Sequence, residues 1–125
     1  SFLVKLYRCR QTLEDLPSRF LTFPIYTETF KVPNLVWKGY AWILLEQMAF
    51  KGDVEMMDFV RRVEDVWRPL MRPVPNPKSQ MEACLWELLD ELLADKKIKL
   101  GYPKSKMNRL QSKGDFGKIL LSVEG

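Results

Sequence analysis

Residues 35–50 read LVWKGYAWILLEQMAF. On a helical wheel the apolar side chains of this stretch point almost everywhere. A helix formed here has no broad face to give to water, so other elements have to wrap it. Gly39 lies inside it at a cost of about 1 kcal/mol relative to alanine, which close packing against a neighbour would offset. A chain of 125 residues supplies one domain with a modest core. This segment is its expected centre, and the remaining elements are its coat.

The coat can be read by periodicity. Residues 1–16 carry Phe2, Leu3, Leu6, Leu13 and Leu16 at near-helical spacing, and Pro17 closes that helix. Residues 18–35 hold two prolines and many aromatic and β-branched side chains. They read as an extended connection laid over the core by Phe20, Phe23, Ile25, Tyr26 and Phe30, with Asn34 as the cap of the central helix. Gly52 then reads as a C-cap and Asp53 as the next N-cap. Residues 54–68 form a third helix, with Val54, Met57, Val60, Val63 or Glu64, and Trp67 along one face. Four prolines in residues 68–77 require an irregular connection. Ser79 and Glu82 have the spacing of a capping box. They open a fourth helix whose stripe is Cys84, Leu85, Leu88, Leu89, Leu92 and Leu93, ended by Gly101 and Pro103. Beyond it, 104–111 has a short helical pattern, and KILLSV at 118–123 reads as a strand or a docked apolar strip. The expected fold is all-α: a compact bundle of about four helices with an aromatic and proline-rich crossover. Residues 1–100 form the helical domain and 101–125 a basic C-terminal extension.

Composition removes several chemistries. There is no histidine, so the commonest general base and the usual nucleophile triads are missing. Cys9 and Cys84 stand far apart, with no zinc or disulfide spacing, which favours a reduced intracellular setting. No apolar run reaches membrane-spanning length, and no secretory leader opens the sequence. KGDFGK at 113–118 lacks the ending of a phosphate loop. Glu87, Asp90, Glu91 and Asp95 lie opposite a leucine stripe at helical spacing, which reads as a solvated face and not as a catalytic pair. The expectation is a protein that is not an enzyme and carries neither cofactor nor metal.

Charge is unevenly spread. Residues 1–95 carry 12 basic and 14 acidic side chains, and residues 96–125 carry 8 basic and 2 acidic ones. A near-neutral domain with a basic end suggests a local phosphate-contacting strip. Its candidate residues are Lys96, Lys97, Lys99, Lys104, Lys106 and Arg109, with Lys5 and Arg8 on the first helix as a second cluster. The same residues also read as a solubilising tail. Trp37, Trp42, Trp67 and Trp86 fall within predicted helices, where core packing or a partner interface outweighs base stacking. The six methionines read mostly as core filler.

Four pieces taken in order carry a resemblance: SFLVKLYRCRQTLEDLP at the start, VPNLVWKG around Trp37, VEDVW ending at Trp67, and MEACLWELLDEL around Trp86. Together, over about residues 1–94, they resemble the small RDM family of plant RNA-directed DNA methylation, the helical subunit of the DRD–DMS–RDM complex. The connection at 18–32 is longer than in that family. Arg8 stands where the family has a methionine associated with methylcytosine recognition, so that pocket is not carried over, and the tail after 95 differs. The resemblance implies an all-helical fold, homodimerisation, nuclear location and an adaptor role in a chromatin-silencing assembly with protein partners. The function expected is therefore a non-enzymatic adaptor with weak DNA or RNA contact. The alternative is a winged-helix-like nucleic-acid-binding module, built from the 79–95 helix, a basic turn and KILLSV as a wing strand.

Overall fold

The computed structural model describes residues 16–20, 25–101 and 119–124, together with Val4. Most of the expected first helix over 1–16 lies outside the described residues, as do Phe23 and the short helical pattern at 104–111. A 3-10 turn, Ser18–Phe20, precedes α1 (Asn34–Ala49), β1 (Val54–Glu55) and α2 (Met56–Trp67). A second 3-10 turn, Arg68–Leu70, leads to α3 (Pro77–Ala94), β2 (Ile98–Gly101) and β3 (Leu120–Val123).

The all-α expectation is therefore corrected. Among the described residues there are three α-helices and a three-stranded antiparallel sheet in the order β1-β3-β2. Ile98 pairs with Val123 and Leu100 with Leu121, and Val54 pairs with Leu121 from the other side. Those pairs share one pleat face. Ile98, Leu121 and Val54 on it are buried, while Lys99, opposite Ser122 on the other face, is exposed. The ladder runs on at both ends, where Met56 N–H donates to Ile119 O (2.8 Å) and Glu124 N–H to Lys97 O (2.8 Å). The end of the supposed basic tail is thus a central strand, with Ile119 and Leu121 in the core. In chain order the elements run helix, strand, helix, helix, strand, strand, with the last strand between the first two. That is the connectivity of a winged helix, except that residues 68–76 replace the usual turn of about three or four residues between its second and third helices.

α1 is wrapped as its sequence demands. It touches the Ser18–Phe20 turn, α2, β1 and β3. Its cap differs from expectation. Pro33 is the N-cap, and the Asn34 Oδ1 accepts a bond from the Trp37 indole N–H at 3.0 Å. Asp53 is likewise not the cap of α2, because β1 intervenes and its carboxylate accepts from the Ser122 hydroxyl at 2.9 Å. α3 begins two residues before Ser79, at Pro77, whose fixed φ suits the first helical position. Asn76 precedes it in the left-handed region (φ 53°), which asparagine tolerates better than most residues. Along α2 the buried side chains Met56, Phe59, Val60, Val63 and Trp67 follow helical spacing.

Three rings lock the centre. Phe30 stacks on Trp37 with centroids 4.6 Å apart, and Trp67 meets both edge-on at 5.2 Å. These are the offset-stacked and T-shaped arrangements that ring quadrupoles favour. The Trp67 indole N–H donates to the Trp37 carbonyl at 2.8 Å, so α2 is hydrogen-bonded to α1 in the middle of the core. The crossover contributes Phe20 and Phe30 to this core, but Ile25 and Tyr26, expected to join them, are about half exposed.

If 120–123 is a core strand, Leu121→Ala costs about 2–4 kcal/mol, as for a buried leucine in a packed core. Urea unfolding measures it. A loss below about 0.5 kcal/mol, the range of ordinary surface substitutions, would return the segment to a solvated tail.

Candidate functional site

The sequence-predicted residues separate into three groups. Trp37 and Trp67 are fully buried, Trp42 is 5% exposed, and Trp86 packs half-buried on the core edge. Three of the four indoles named for a partner interface are thus interior. Lys96, Lys97 and Lys99 are exposed, Lys96 with φ 57° at the turn into β2 and Lys99 on β2 itself. Lys99 pairs with Glu124 at 2.9 Å, an exposed contact of small energetic weight. Lys104, Lys106, Arg109, Lys5 and Arg8 lie outside the described residues.

In chain order α3 is the third helix, the counterpart by connectivity of a winged helix's third. Its outward surface carries Gln80, Ala83, Glu87, Asp90 and Ala94, with Glu82 and Trp86 at its margins. Of the four acids expected to face water, Glu87 and Asp90 do. Asp95 is only partly exposed and bonds the Arg19 guanidinium. Glu91 turns inward.

Glu91 meets Lys38 of α1, whose ammonium is 2.7 Å from both carboxylate oxygens. Lys38 is 1% exposed and lies 5.3 Å from the Trp37 ring centroid, within cation–π range. Burial pushes the Glu91 carboxyl above the ordinary carboxylate range; the Lys38 ammonium pulls the other way without cancelling it, and Glu87 adds to the rise. Nearby, burial raises the Cys84 thiol, against a hydrogen bond with Thr29, so the thiolate needed for nucleophilic chemistry is scarce. This cluster is closed on itself. Its buried ammonium is held by both oxygens of one carboxylate, which is the arrangement of a structural pair.

A groove opens on a different part of the surface, where α2 ends and α3 begins. Proline spacing and two backbone bonds build it. Lys31 N–H donates to Leu70 O (2.7 Å) and Arg72 N–H to Thr29 O (2.9 Å), while Phe30 bridges Met71 in antiparallel fashion. The crossover is thereby tied to the Arg68–Leu70 turn, and Lys31 is placed beside that connection. The groove has a volume of about 420 Å³. Its rim carries Lys31, Arg68, Arg72 and Lys78 against the single carboxylate of Glu64, and its floor is made by Met71, Val74 and Met81, with prolines beside them. All four cations are exposed. Arg72 Nε donates to Phe30 O at 3.0 Å, which fixes that guanidinium at the edge. Among the described residues, no carboxylate forms an ion pair with Lys31, Arg68 or Lys78. Periodicity could not find this site, because its cations come from two distant segments. The one sequence signal was the alternation of proline with Arg68, Arg72 and Lys78 in RPLMRPVPNPK.

The raised Glu91 carboxyl gives a signed pH dependence. The folded state holds that proton more tightly than the unfolded chain, so stability falls as pH rises from the ordinary carboxylate value through the folded one. In Glu91→Gln this part of the slope is gone, which melts at a series of pH values, compared with wild type, will show. The variant also loses about 3 kcal/mol near neutral pH by stranding Lys38, and adding Lys38→Met to a Glu91→Leu change restores most of that loss. Parallel wild-type and Gln curves would refute the linkage.

Among the described residues no helix is long and apolar enough to cross a membrane, and no three histidine, cysteine or acidic side chains gather as a metal site. No family model, no curated protein and no solved structure matches this chain.

Proposed function

We propose that this chain is a non-enzymatic adaptor, a winged-helix-like frame used to hold protein partners. The observation that carries the reading is the outward face of α3, which presents Glu87 and Asp90 where a DNA-reading helix needs cations and base-directed donors. Like charge facing a phosphate backbone repels, and no loop rearrangement removes those two carboxylates from the helix. The concave surface points the same way, because an apolar floor with a polar rim is the anatomy of a recognition site for side chains. The silencing assembly, the homodimer and the nuclear location rest on the RDM resemblance alone, and the all-helical fold which that resemblance implied is not the fold of this chain.

A second reading keeps nucleic acid as a weak contact. By sequence, Lys104, Lys106, Arg109, Lys113 and Lys118 stand between β2 and β3. Together with exposed Lys96, Lys97 and Lys99 they would touch phosphates without reading bases.

A titration of a labelled DNA duplex at about 50 and about 200 mM salt distinguishes these roles. The adaptor reading expects weak binding that disappears at the higher salt and is unchanged by Ala83→Glu on the outward face of α3. Tight binding that survives the higher salt and is abolished by Ala83→Glu would put α3 in the groove and end the adaptor reading.

A further inference from the structure

We infer that the groove between the Arg68–Leu70 turn and the start of α3 binds a short acidic peptide segment carrying an apolar anchor residue. This rests on the adaptor reading and names the chemistry of its partner. Charge complementarity is the first argument. Lys31, Arg68, Arg72 and Lys78 ring the groove against one carboxylate, so an occupant that brings acidic side chains meets unneutralised cations on both walls. Arginines at such a rim offer planar, paired donors suited to carboxylates.

The second argument is the floor. Met71 and Met81 are almost fully buried, and with Val74 they give an apolar base on which an aliphatic or aromatic side chain would sit. Methionine adapts its shape to such an anchor at little cost. A phosphate strand would leave that floor unused. Its bases would want aromatic platforms, and among the described residues no aromatic side chain lines this groove. The volume of about 420 Å³ also excludes a duplex and suits a few side chains.

The third argument is stiffness. Pro73 and Pro77 line the groove and fix their local backbone angles, and Arg72 is tied at both its backbone N–H and its Nε to the crossover. A preformed wall spares the occupant the cost of ordering the site.

The test is a fluorescence-anisotropy titration of the full chain. The probes are a short fluorescein-labelled peptide of aspartates and glutamates around a central Leu-Phe pair, the same peptide with Ser-Ser at its centre, and labelled oligothymidylate. Arg68→Glu combined with Lys78→Glu changes two exposed side chains, and its melting curve verifies that it folds. The Leu-Phe peptide should bind, lose about tenfold or more in affinity in that double variant, and be unaffected by Lys97→Glu beyond the C-terminal end of α3. The Ser-Ser peptide should bind at least about tenfold more weakly than its Leu-Phe counterpart. The proposal is overturned if the Leu-Phe peptide does not bind, if Lys97→Glu weakens it as much as the double variant does, or if both peptides bind alike. It is also overturned if oligothymidylate competes for the site and loses affinity in the double variant. Any of these removes the acidic occupant while the duplex titration still decides the adaptor reading separately.

Discussion

A buried ammonium decides much of this architecture. Lys38 lies in the second turn of the central helix, at 1% exposure. A charge in that position has to be paired, because an isolated ion in a protein interior is too costly to keep. Glu91 pairs with it through both carboxylate oxygens. The contact joins α1 to α3. Glu87, one helical turn before Glu91, and Asp90, the residue before it, border this contact and stay exposed.

The aromatic cluster performs the matching task for α2. Stacking of Phe30 on Trp37 fixes the crossover against α1, and the Trp67 indole bonded to the Trp37 carbonyl fixes the last turn of α2. The chain leaves that turn into a connection stiffened by prolines, and the two bonds between residues 29–31 and 70–72 hold it against the crossover. The groove is what remains between this tied connection and the first turns of α3. Its rim is basic because solvent-facing positions of both segments carry Lys31, Arg68, Arg72 and Lys78, all of which keep their heads in water while the methionines beneath them are buried.

What was legible in the sequence follows from which interactions are local. The central helix was placed within one residue at each end, and the stripe of Leu85, Leu88, Leu89 and Leu92 is buried as periodicity required. The sheet was not legible as a sheet. β1 has two residues, and β2 offers only Ile98 and Leu100 as its alternating pair, set among lysines that made the segment look like a tail. Their strand character comes from pairing with 120–123, a long-range fact that no window contains. The caps failed for a related reason. Asn34 and Asp53 have the right chemistry for capping, but tertiary partners, the Trp37 indole and the Ser122 hydroxyl, compete for their side-chain oxygens. Of the residues named as phosphate contacts, Lys96, Lys97 and Lys99 lie exposed before and on β2. The inward turn of Glu91 was not legible, because one helical step separates it from the solvent-facing acids.

The same connectivity can serve nucleic acid or protein, and charge placement is what separates the two uses. A DNA-reading domain gathers cations on its third helix and wing together, so that both meet one duplex. Here the cations are divided. One set rims the groove at the start of α3, and another is formed by Lys96, Lys97 and Lys99 before and on β2. Between them stand Glu87 and Asp90. A rod of uniform negative charge laid along α3 to reach both basic sets would have to cross the acidic stretch that separates them. Short acidic segments have no such problem, since each could occupy one basic region alone. That division of charge supports the proposal of partner proteins with acidic stretches.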